Sequence, residues 1–303
     1  MSALISILAI YLFIFLGYIA KKIHKENIHE KTLIIFSIYF LQPILTFWGL
    51  TRVSINYELI LTPFIYFLVV TTTLVFLIFV SRYMFDDEQD KSIFITTSLI
   101  GNTGNLAIPL GIALFGEQSI AYTSIINIAN IFFIYTVGIF YFAKSNYTFK
   151  QSLLKMTQIP ILWFAIIALV YNYLGFKINA QIDQALEMGA YATIVIQLMI
   201  FGVYMAGIKL KSTNMKLSIS TTFVKLIILP LVGIVFAYIF NMPSDIAKIL
   251  IVSLAVPLAV TTVNISALYE CKPYEVTYII FLSTALFLAI FYFDLNLINM
   301  VFK

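Results

Sequence analysis

Two polar clusters interrupt otherwise apolar stretches of the chain, and each cluster lies beside a proline. In the first, Asn102, Thr103 and Asn105 precede Pro109. The second follows Pro257 and consists of hydroxyl and amide side chains: Thr261, Thr262 and Asn264. Glycine and proline weaken a helix, since glycine loosens the backbone and proline removes a hydrogen-bond donor. A helix that breaks inside an apolar segment turns backbone N–H groups and polar side chains inward, where they can bind an anion.

The composition predicts an integral membrane protein. Of the 303 residues, 62% are hydrophobic and only 11% are charged, and the mean hydropathy is +1.01. At about 20 apolar residues per crossing, ten crossings leave only short connections and no room for a soluble catalytic domain. The single cysteine, Cys271, excludes an internal disulfide framework. The formal net charge of +4 resides in loops, so it indicates topology and not a nucleic-acid partner.

Apolar runs bounded by charged or turn-forming residues predict an all-α protein with ten membrane-spanning helices. The predicted spans are 2–20, 32–50, 57–80, 92–115, 119–143, 152–175, 184–208, 218–240, 246–269 and 274–298. Most of the 18 Lys and Arg residues fall in the loops after the odd-numbered spans, which places those loops in the cytoplasm and both termini outside. Lys225, inside the eighth span, is interpreted as an interfacial anchor whose long side chain reaches the cytoplasmic face. The wealth of Lys, Ile, Asn and Tyr suggests a bacterial protein, and hence the bacterial plasma membrane.

Ten spans with both ends on one side can form two halves of five, predicted here as 1–145 and 146–303. Because five is odd, the second half must insert upside down, as in many secondary transporters. Pro109 and Pro257 lie at nearly the same offset in the fourth span of each half. The pattern predicts that the two broken spans meet near the middle of the membrane and form a substrate site. The alternative is that both prolines only kink packed helices, with the polar side chains hydrogen-bonding between them.

The run Gly-Asn-Thr-Gly-Asn-Leu-Ala-Ile-Pro-Leu at 101–110 resembles the fourth-helix signature of the auxin efflux carrier family. The stretch from Pro257 through Tyr-Glu-Cys-Lys-Pro at 269–273 to Ser283 and Thr284 resembles its ninth and tenth helices. The resemblance implies two inverted five-helix repeats, a fold related to PIN-FORMED auxin exporters and to bile acid:sodium symporter-like carriers. It also implies a small carboxylate substrate, contacted by Asn102 beside the crossing made by Pro109 and Pro257. The long cytoplasmic loop of the plant carriers is absent, which makes auxin itself an unexpected substrate.

The charge pattern also bears on energy coupling. Neither 92–116 nor 249–269 contains Asp, Glu, His, Lys or Arg. A proton-driven carrier usually keeps a titratable side chain deep in its site, so the sequence predicts transport that is not obligatorily coupled to protons. Uniport driven by the membrane potential, or coupling to Na⁺ held by backbone and side-chain oxygens, fits better. No cofactor is predicted, and Na⁺ is the candidate coupling ion.

The remaining polar residues leave several alternatives open. Gln42 and Gln197 either line the site or form interhelical hydrogen bonds. Asp183 and Glu187 are interpreted as a solvated helix entrance, and the acidic turn at 86–90 as a solvated loop in preference to a metal site. No nucleophile elbow, P-loop or His-Glu-x-x-His motif is present, so an enzyme is not expected.

The sequence therefore predicts export of a small organic anion by alternating access. The alternatives are a Na⁺-coupled organic-anion symporter and a membrane sensor that binds a ligand without moving it. The expected partners are the carboxylate substrate and the lipid bilayer, with a homodimer as the candidate assembly. The predicted site consists of the two prolines and the polar residues beside them: Asn102, Thr103, Asn105, Pro109, Pro257, Thr261, Thr262 and Asn264.

Overall fold

The computed structural model of the chain is built from α-helices joined by short connections. It describes residues 2–52, 55–143, 158, 160–207 and 214–302. The helices are α1 Ser2–His24, α2 Glu30–Phe36, α3 Gln42–Thr51, α4 Tyr57–Met84, α5 Glu88–Thr97, α6 Ile108–Phe115, α7 Ser119–Phe133, α8 Ile139–Ala143, α9 Pro160–Tyr173, α10 Ala180–Gly207, α11 Met215–Phe223, α12 Leu229–Ile239, α13 Ser244–Ala255, α14 Thr261–Leu268 and α15 Pro273–Val301.

Five helical segments of the described chain are long and apolar enough to cross a membrane. They are Tyr57–Met84, Ser119–Ala143, Ala180–Ala206, Met215–Ile239 and Pro273–Val301. Many of their large apolar side chains are exposed, as expected of helices that face lipid. Helical residues occur in every predicted span, while the number of crossings stays a prediction. The predicted boundary between the halves, at 145 and 146, lies outside the described residues.

Several π-helical turns lie directly before prolines. Pro43, Pro109 and Pro230 each follow such a turn, at Ser37–Leu41, Thr103–Ala107 and Val224–Ile228 respectively. Proline lacks a backbone N–H and clashes with the carbonyl group four residues earlier, so the helix widens by one residue there. The widening changes which side chains face inward over the next turn, and two of these three turns adjoin the candidate site described below.

Two helices are interrupted at the polar clusters. The chain leaves α5 at Thr97 and resumes helical structure at Thr103, and it leaves α13 at Ala255 and resumes at Thr261. The two unwound stretches cross in an antiparallel orientation, and Gly101 pairs with Leu258 as an isolated β-bridge. The chain is thus non-helical between Thr97 and Thr103 and between Ala255 and Thr261, and the two stretches touch.

Four helices, α1, α3, α9 and α10, pack against one another. The contact between α1 and α10 is so close that a side chain at Gly202 would overlap the backbone of Ile14. Small residues allow helices to approach in this way inside a membrane, where van der Waals packing holds them together. These four helices form a layer that lies beside the helices carrying the two breaks.

Polar contacts group the loops at opposite ends of the bundle. At one end, Arg52 pairs with Asp183 at 2.9 Å and with Glu187 at 4.0 Å. At the other end, the Nζ of Lys272 bonds the carboxylates of Asp87 and Asp90. The acidic pair at the start of α10 is thus an exposed partner of Arg52, an arrangement that contributes little to stability because water screens it.

Candidate functional site

A small cavity lies where the two interrupted helices cross. It has about 60 Å³ of room for water and opens between the first break, the second break and α7. Much of its lining is polar, including the amide and hydroxyl side chains of Ser37, Gln42, Asn102, Asn105, Asn127 and Thr261. A polar cavity of this size inside an apolar bundle holds a few water molecules or one small polar group.

The first break is held in place by Asn130 on α7. Its Nδ2 donates to the carbonyl oxygen of Gly101 at 2.8 Å, and its Oδ1 accepts the N–H of Gly101 at 3.4 Å. The hydroxyl of Tyr66 on α4 donates to the same Oδ1 at 3.0 Å. Unwound backbone in an apolar interior must find partners for its polar groups. One asparagine satisfies both backbone groups of Gly101 and so fixes the path of the chain into the site.

The same asparagine sets the direction of a hydrogen-bond relay. Asn130 Nδ2 also donates to Thr103 Oγ1 at 2.9 Å, so the Thr103 hydroxyl turns its own hydrogen to Asn127 Oδ1 at 2.8 Å. Because Asn127 accepts through its oxygen, its Nδ2 remains as a donor. Asn127 is only 3% exposed, and this nitrogen has no hydrogen-bond partner within the described chain.

Asn102 supplies a second donor of the same kind. Its backbone N–H donates to the carbonyl oxygen of Pro257 at 2.8 Å, and its own carbonyl accepts the N–H groups of Leu106 and Ala107. Its side chain is 3% exposed overall, and Nδ2 has no partner among the residues that the structure describes. The cavity is therefore lined by two buried amide residues, each with an unfilled N–H₂ group. Buried donors are nearly always paired in proteins, so two such groups point to a missing acceptor.

The position of Lys225 differs from the one predicted from the sequence. It was expected at the cytoplasmic face, yet it is 1% exposed, and its Nζ donates to the carbonyl oxygen of Leu254 at 2.7 Å. A Cβ built on Gly101 would lie 3.0 Å from this Nζ. The interpretation as an interfacial anchor is wrong because Lys225 lies in the π-helical turn before Pro230 and turns inward. The two broken segments contain no ionisable residue, but a neighbouring helix brings one to them.

A comparison with known protein families decides what kind of molecule carries this site. The family model described as membrane transport protein matches residues 2–293. The chain belongs to this family. A curated relative, an uncharacterized transporter of Methanocaldococcus jannaschii, is 25% identical over 288 residues, which cover 92% of this chain and 93% of the relative. The match confirms the auxin efflux carrier family predicted from the sequence.

Membership in the membrane transport protein family implies a multi-pass protein of the lipid bilayer with a transported substrate. Of the residues predicted for its site, the structure brings four to the cavity: Asn102, Thr103, Asn105 and Thr261. Three others are placed differently. Pro109 lies in the first turn of α6, Pro257 contributes its carbonyl group to the crossing, and Thr262 is fully buried and donates to the carbonyl of Ala259. The side chain of Asn264 lies outside the described part of the chain.

The structure also brings polar residues to the transporter's cavity that the sequence analysis missed or left open. Asn127 and Asn130 were missed, although two asparagines three residues apart in an apolar span share one helix face and could have been noticed. Gln42, left open, lines the cavity and approaches Asn105 Oδ1 at 3.5 Å through its Nε2. Gln197 is fully buried away from this lining, and neither of its polar atoms has a hydrogen-bond partner within the described ranges.

The acidic turn of the transporter is a helix cap and not an open loop. Asp87 Oδ1 accepts the backbone N–H groups of Gln89 and Asp90 at the start of α5, each at 2.9 Å. The bond from Asp90, helped by the nearby Lys272, lowers the pKa of the Asp87 carboxyl below its usual value. Asp90 is only 7% exposed, since it also pairs with Lys272 at 2.6 Å and Asn214 at 2.8 Å. The expectation of a solvated loop therefore holds only for part of the turn.

Proposed function

We propose that this transporter exports a small organic anion with a carboxylate group, by alternating access of the cavity to the two sides of the membrane. The observation that carries the proposal is the pair of unfilled donors on the cavity, Asn102 Nδ2 and Asn127 Nδ2. A carboxylate offers two acceptor oxygens, and N–H groups satisfy it without any protein cation touching it.

The surroundings of the cavity also favour a negative ligand. Helical structure begins at Thr103 and again at Thr261, so the N–H ends of two helical segments lie at the cavity lining. These ends carry partial positive charge and commonly bind anions. The lining residues include no Asp or Glu that would repel an anion. We expect the ligand to enter as a carboxylate, not as the neutral acid.

The proposed architecture is ten crossings in two inverted halves, with the interrupted helices as their fourth members. The similar offsets of Pro109 and Pro257 and the antiparallel contact of the two breaks support it. In this arrangement the layer of α1, α3, α9 and α10 is the static scaffold. The remaining helices carry the two breaks and rock against that scaffold, which lines the other side of the cavity through Gln42. The movement exposes the cavity to one side of the membrane at a time.

Export follows from the electrical driving force. With both termini outside and a plasma membrane that is negative inside, an anion leaving the cell gains about 2.3 kcal/mol per charge for every 100 mV. A monocarboxylate can therefore leave without a second ion. We propose that the transporter uses this gradient, in agreement with the lack of titratable side chains in the two broken segments.

The test is to compare two variants and a control in reconstituted vesicles. Purified protein is first screened by thermal shift against mono- and dicarboxylates, and the flux of each stabilising compound is then measured at a set membrane potential. Asn102→Ala and Asn127→Ala should each weaken binding and flux at least about tenfold, because a hydrogen bond to a charged group contributes about 1.5–3 kcal/mol. Asn296→Ala is the matched control, since Asn296 is exposed on α15 and its Nδ2 bonds only its own helix at Tyr292.

Two outcomes would count against the proposal. Wild-type affinity in both variants would remove Asn102 and Asn127 from the site. Stabilisation by a carboxylate with no flux at any potential would show a protein that binds its ligand without moving it, and the sensor alternative would replace transport.

A further inference from the structure

Lys225 is a buried lysine at the junction of the two interrupted helices. Its Nζ bonds the carbonyl of Leu254 on the second interrupted helix, and a Cβ at Gly101 on the first would lie 3.0 Å from it. Among the described residues no carboxylate forms an ion pair with it. A buried ammonium group without a carboxylate is costly and, inside a membrane protein, usually has a function.

The carbonyl end of α13 provides the compensating negative charge. Leu254 is the penultimate residue of this helix, which ends at Ala255, so its carbonyl is one of the last four that have no partner inside the helix. These carbonyl groups carry the negative end of the helix dipole. Lys225 therefore occupies a position beside the carbonyl end of α13 that would attract a small monovalent cation.

The cavity lies next to this cation, with a single residue between them. Gly101 lines the cavity and also contacts the Nζ of Lys225, and the unfilled amide of Asn102 follows directly. The junction thus has a cationic side at Lys225 and an anion-accepting side at the cavity. In a medium of low dielectric constant, a positive charge one residue away from the cavity strengthens the binding of a carboxylate there.

We propose that Lys225 is a built-in cation that replaces a bound coupling ion such as Na⁺ at the broken helices. The inference rests on the proposed function, because it concerns how the same cavity holds its anion. An ammonium group tethered to α11 and α12 through the π-helical turn cannot dissociate. The side chain is present in every transport cycle whatever the external Na⁺ concentration. Lys225 acts as a positioning residue, since it holds the carbonyl end of α13 and does not line the cavity itself.

The first experiment measures ion dependence in the wild-type protein. Carboxylate flux into vesicles is compared with Na⁺ and with Na⁺ replaced by N-methylglucamine, at the same membrane potential. We expect equal rates, because Lys225 already supplies the cation. A strict requirement for Na⁺ would overturn the inference, and this result needs no variant to fold.

The second experiment removes the charge while keeping the shape. Lys225→Met should lower carboxylate binding and flux on the order of tenfold or more, the effect of losing one nearby positive charge in a poorly screened site. Lys248→Met, in the N-terminal half of the same helix α13, should behave as wild type. Wild-type binding by Lys225→Met would overturn the inference.

The third experiment separates charge from packing. Lys225→Ala leaves a space that propylammonium fits, and 1-propanol fills the same space without charge. We expect propylammonium to raise the thermal unfolding temperature and restore carboxylate binding, and we expect propanol to do neither. Equal effects of the two compounds, or none from propylammonium, would show that Lys225 serves only to fill space.

The thermal-shift part of this experiment also distinguishes the two proposals. It requires no carboxylate, so it can succeed even if every flux measurement fails. Stabilisation of Lys225→Ala by propylammonium without transport of any carboxylate would support the built-in cation and overturn the transport function. Carboxylate flux that needs Na⁺ would support the transport function and overturn the built-in cation.

Discussion

The two interrupted helices meet at the bridge between Gly101 and Leu258, yet their chemistry differs. The first break is surrounded by polar groups. Asn130 hydrogen-bonds the backbone of Gly101, and a chain of hydrogen bonds runs from Asn130 through Thr103 to Asn127. The second break, from 256 to 260, consists of buried apolar residues. Its N–H at Leu258 meets Ser283 Oγ only at 3.5 Å, and its main polar contact is the carbonyl of Pro257.

We infer from this difference a division of roles between the two breaks. The amide groups at the first break remain available to a ligand after the backbone is satisfied. The second interrupted helix contributes mainly backbone groups. The carbonyl of Leu254 accepts a hydrogen bond from Lys225, and Thr261 lines the cavity. The similar positions of the two prolines thus predict where the helices break. They do not predict which break has side-chain donors available to a ligand.

The largest effect is expected from removing the hydrogen bonds that hold each break in place. Asn130→Leu keeps the size of the side chain but leaves both backbone groups of Gly101 and the Tyr66 hydroxyl without their partner. Thr103 Oγ1 loses the donor Asn130 and keeps its bond to Asn127. Because each unsatisfied buried group costs about 1–3 kcal/mol, we expect several kcal/mol of lost stability and no measurable flux. Thermal unfolding and vesicle flux would measure the two effects.

Ser283→Ala is the corresponding change at the second break. We expect a small loss of stability and near-normal flux, since the bond to Leu258 is long. Equal damage from Ser283→Ala and Asn130→Leu would mean that both breaks depend on polar clamps and that the difference between them is not functional.

A smaller effect is expected from removing one hydroxyl at each break. Thr103→Val interrupts the relay, so Asn127 is no longer held with its Nδ2 facing the cavity, and carboxylate affinity should fall about tenfold for the loss of one oriented donor. Thr261→Val alters the lining without touching the relay and should change affinity only a few-fold. Titration calorimetry on the two purified variants would measure both, and a larger loss for Thr261→Val would reverse the assignment of roles.

The smallest effect is expected at the predicted cytoplasmic end, where Lys272, in the turn after the second interrupted helix, pairs with Asp87 and Asp90 at the start of the first. Asp87→Ala removes the cap of α5 and should cost about 1 kcal/mol at pH 7. The pKa of Asp87 is lowered in the folded protein, so its contribution is complete above the unfolded pKa of about 4 and disappears as the pH falls through the folded value.

Thermal unfolding of Asp87→Ala and wild type across a pH series would check this behaviour. Asp86→Ala, one residue away on the exposed turn, is the control and should follow the wild type throughout. A stability difference for Asp87→Ala that persists unchanged at low pH would show that the carboxylate charge plays no part in the cap.

Part of the site could be predicted because its residues are neighbours along the chain. Asn102, Thr103 and Asn105 surround a helix break that glycine and proline determine locally, and the structure brings all three to the cavity. Asn127 and Asn130 belong to another helix, so their role depends on how α7 packs against the break. Thr262, also in a predicted cluster, donates to the carbonyl of Ala259 and does not line the cavity.

By itself, the sequence determined that this is a helical membrane protein of a transporter family and that its chain breaks at two polar clusters. Hydropathy and the backbone preferences of glycine and proline are local properties, and they act wherever the chain lies. Only the tertiary structure decided which donors remain unfilled and where the buried charge lies. Hydrogen-bond satisfaction and the position of Lys225 depend on contacts between helices distant in sequence, and no pattern along the chain records those contacts.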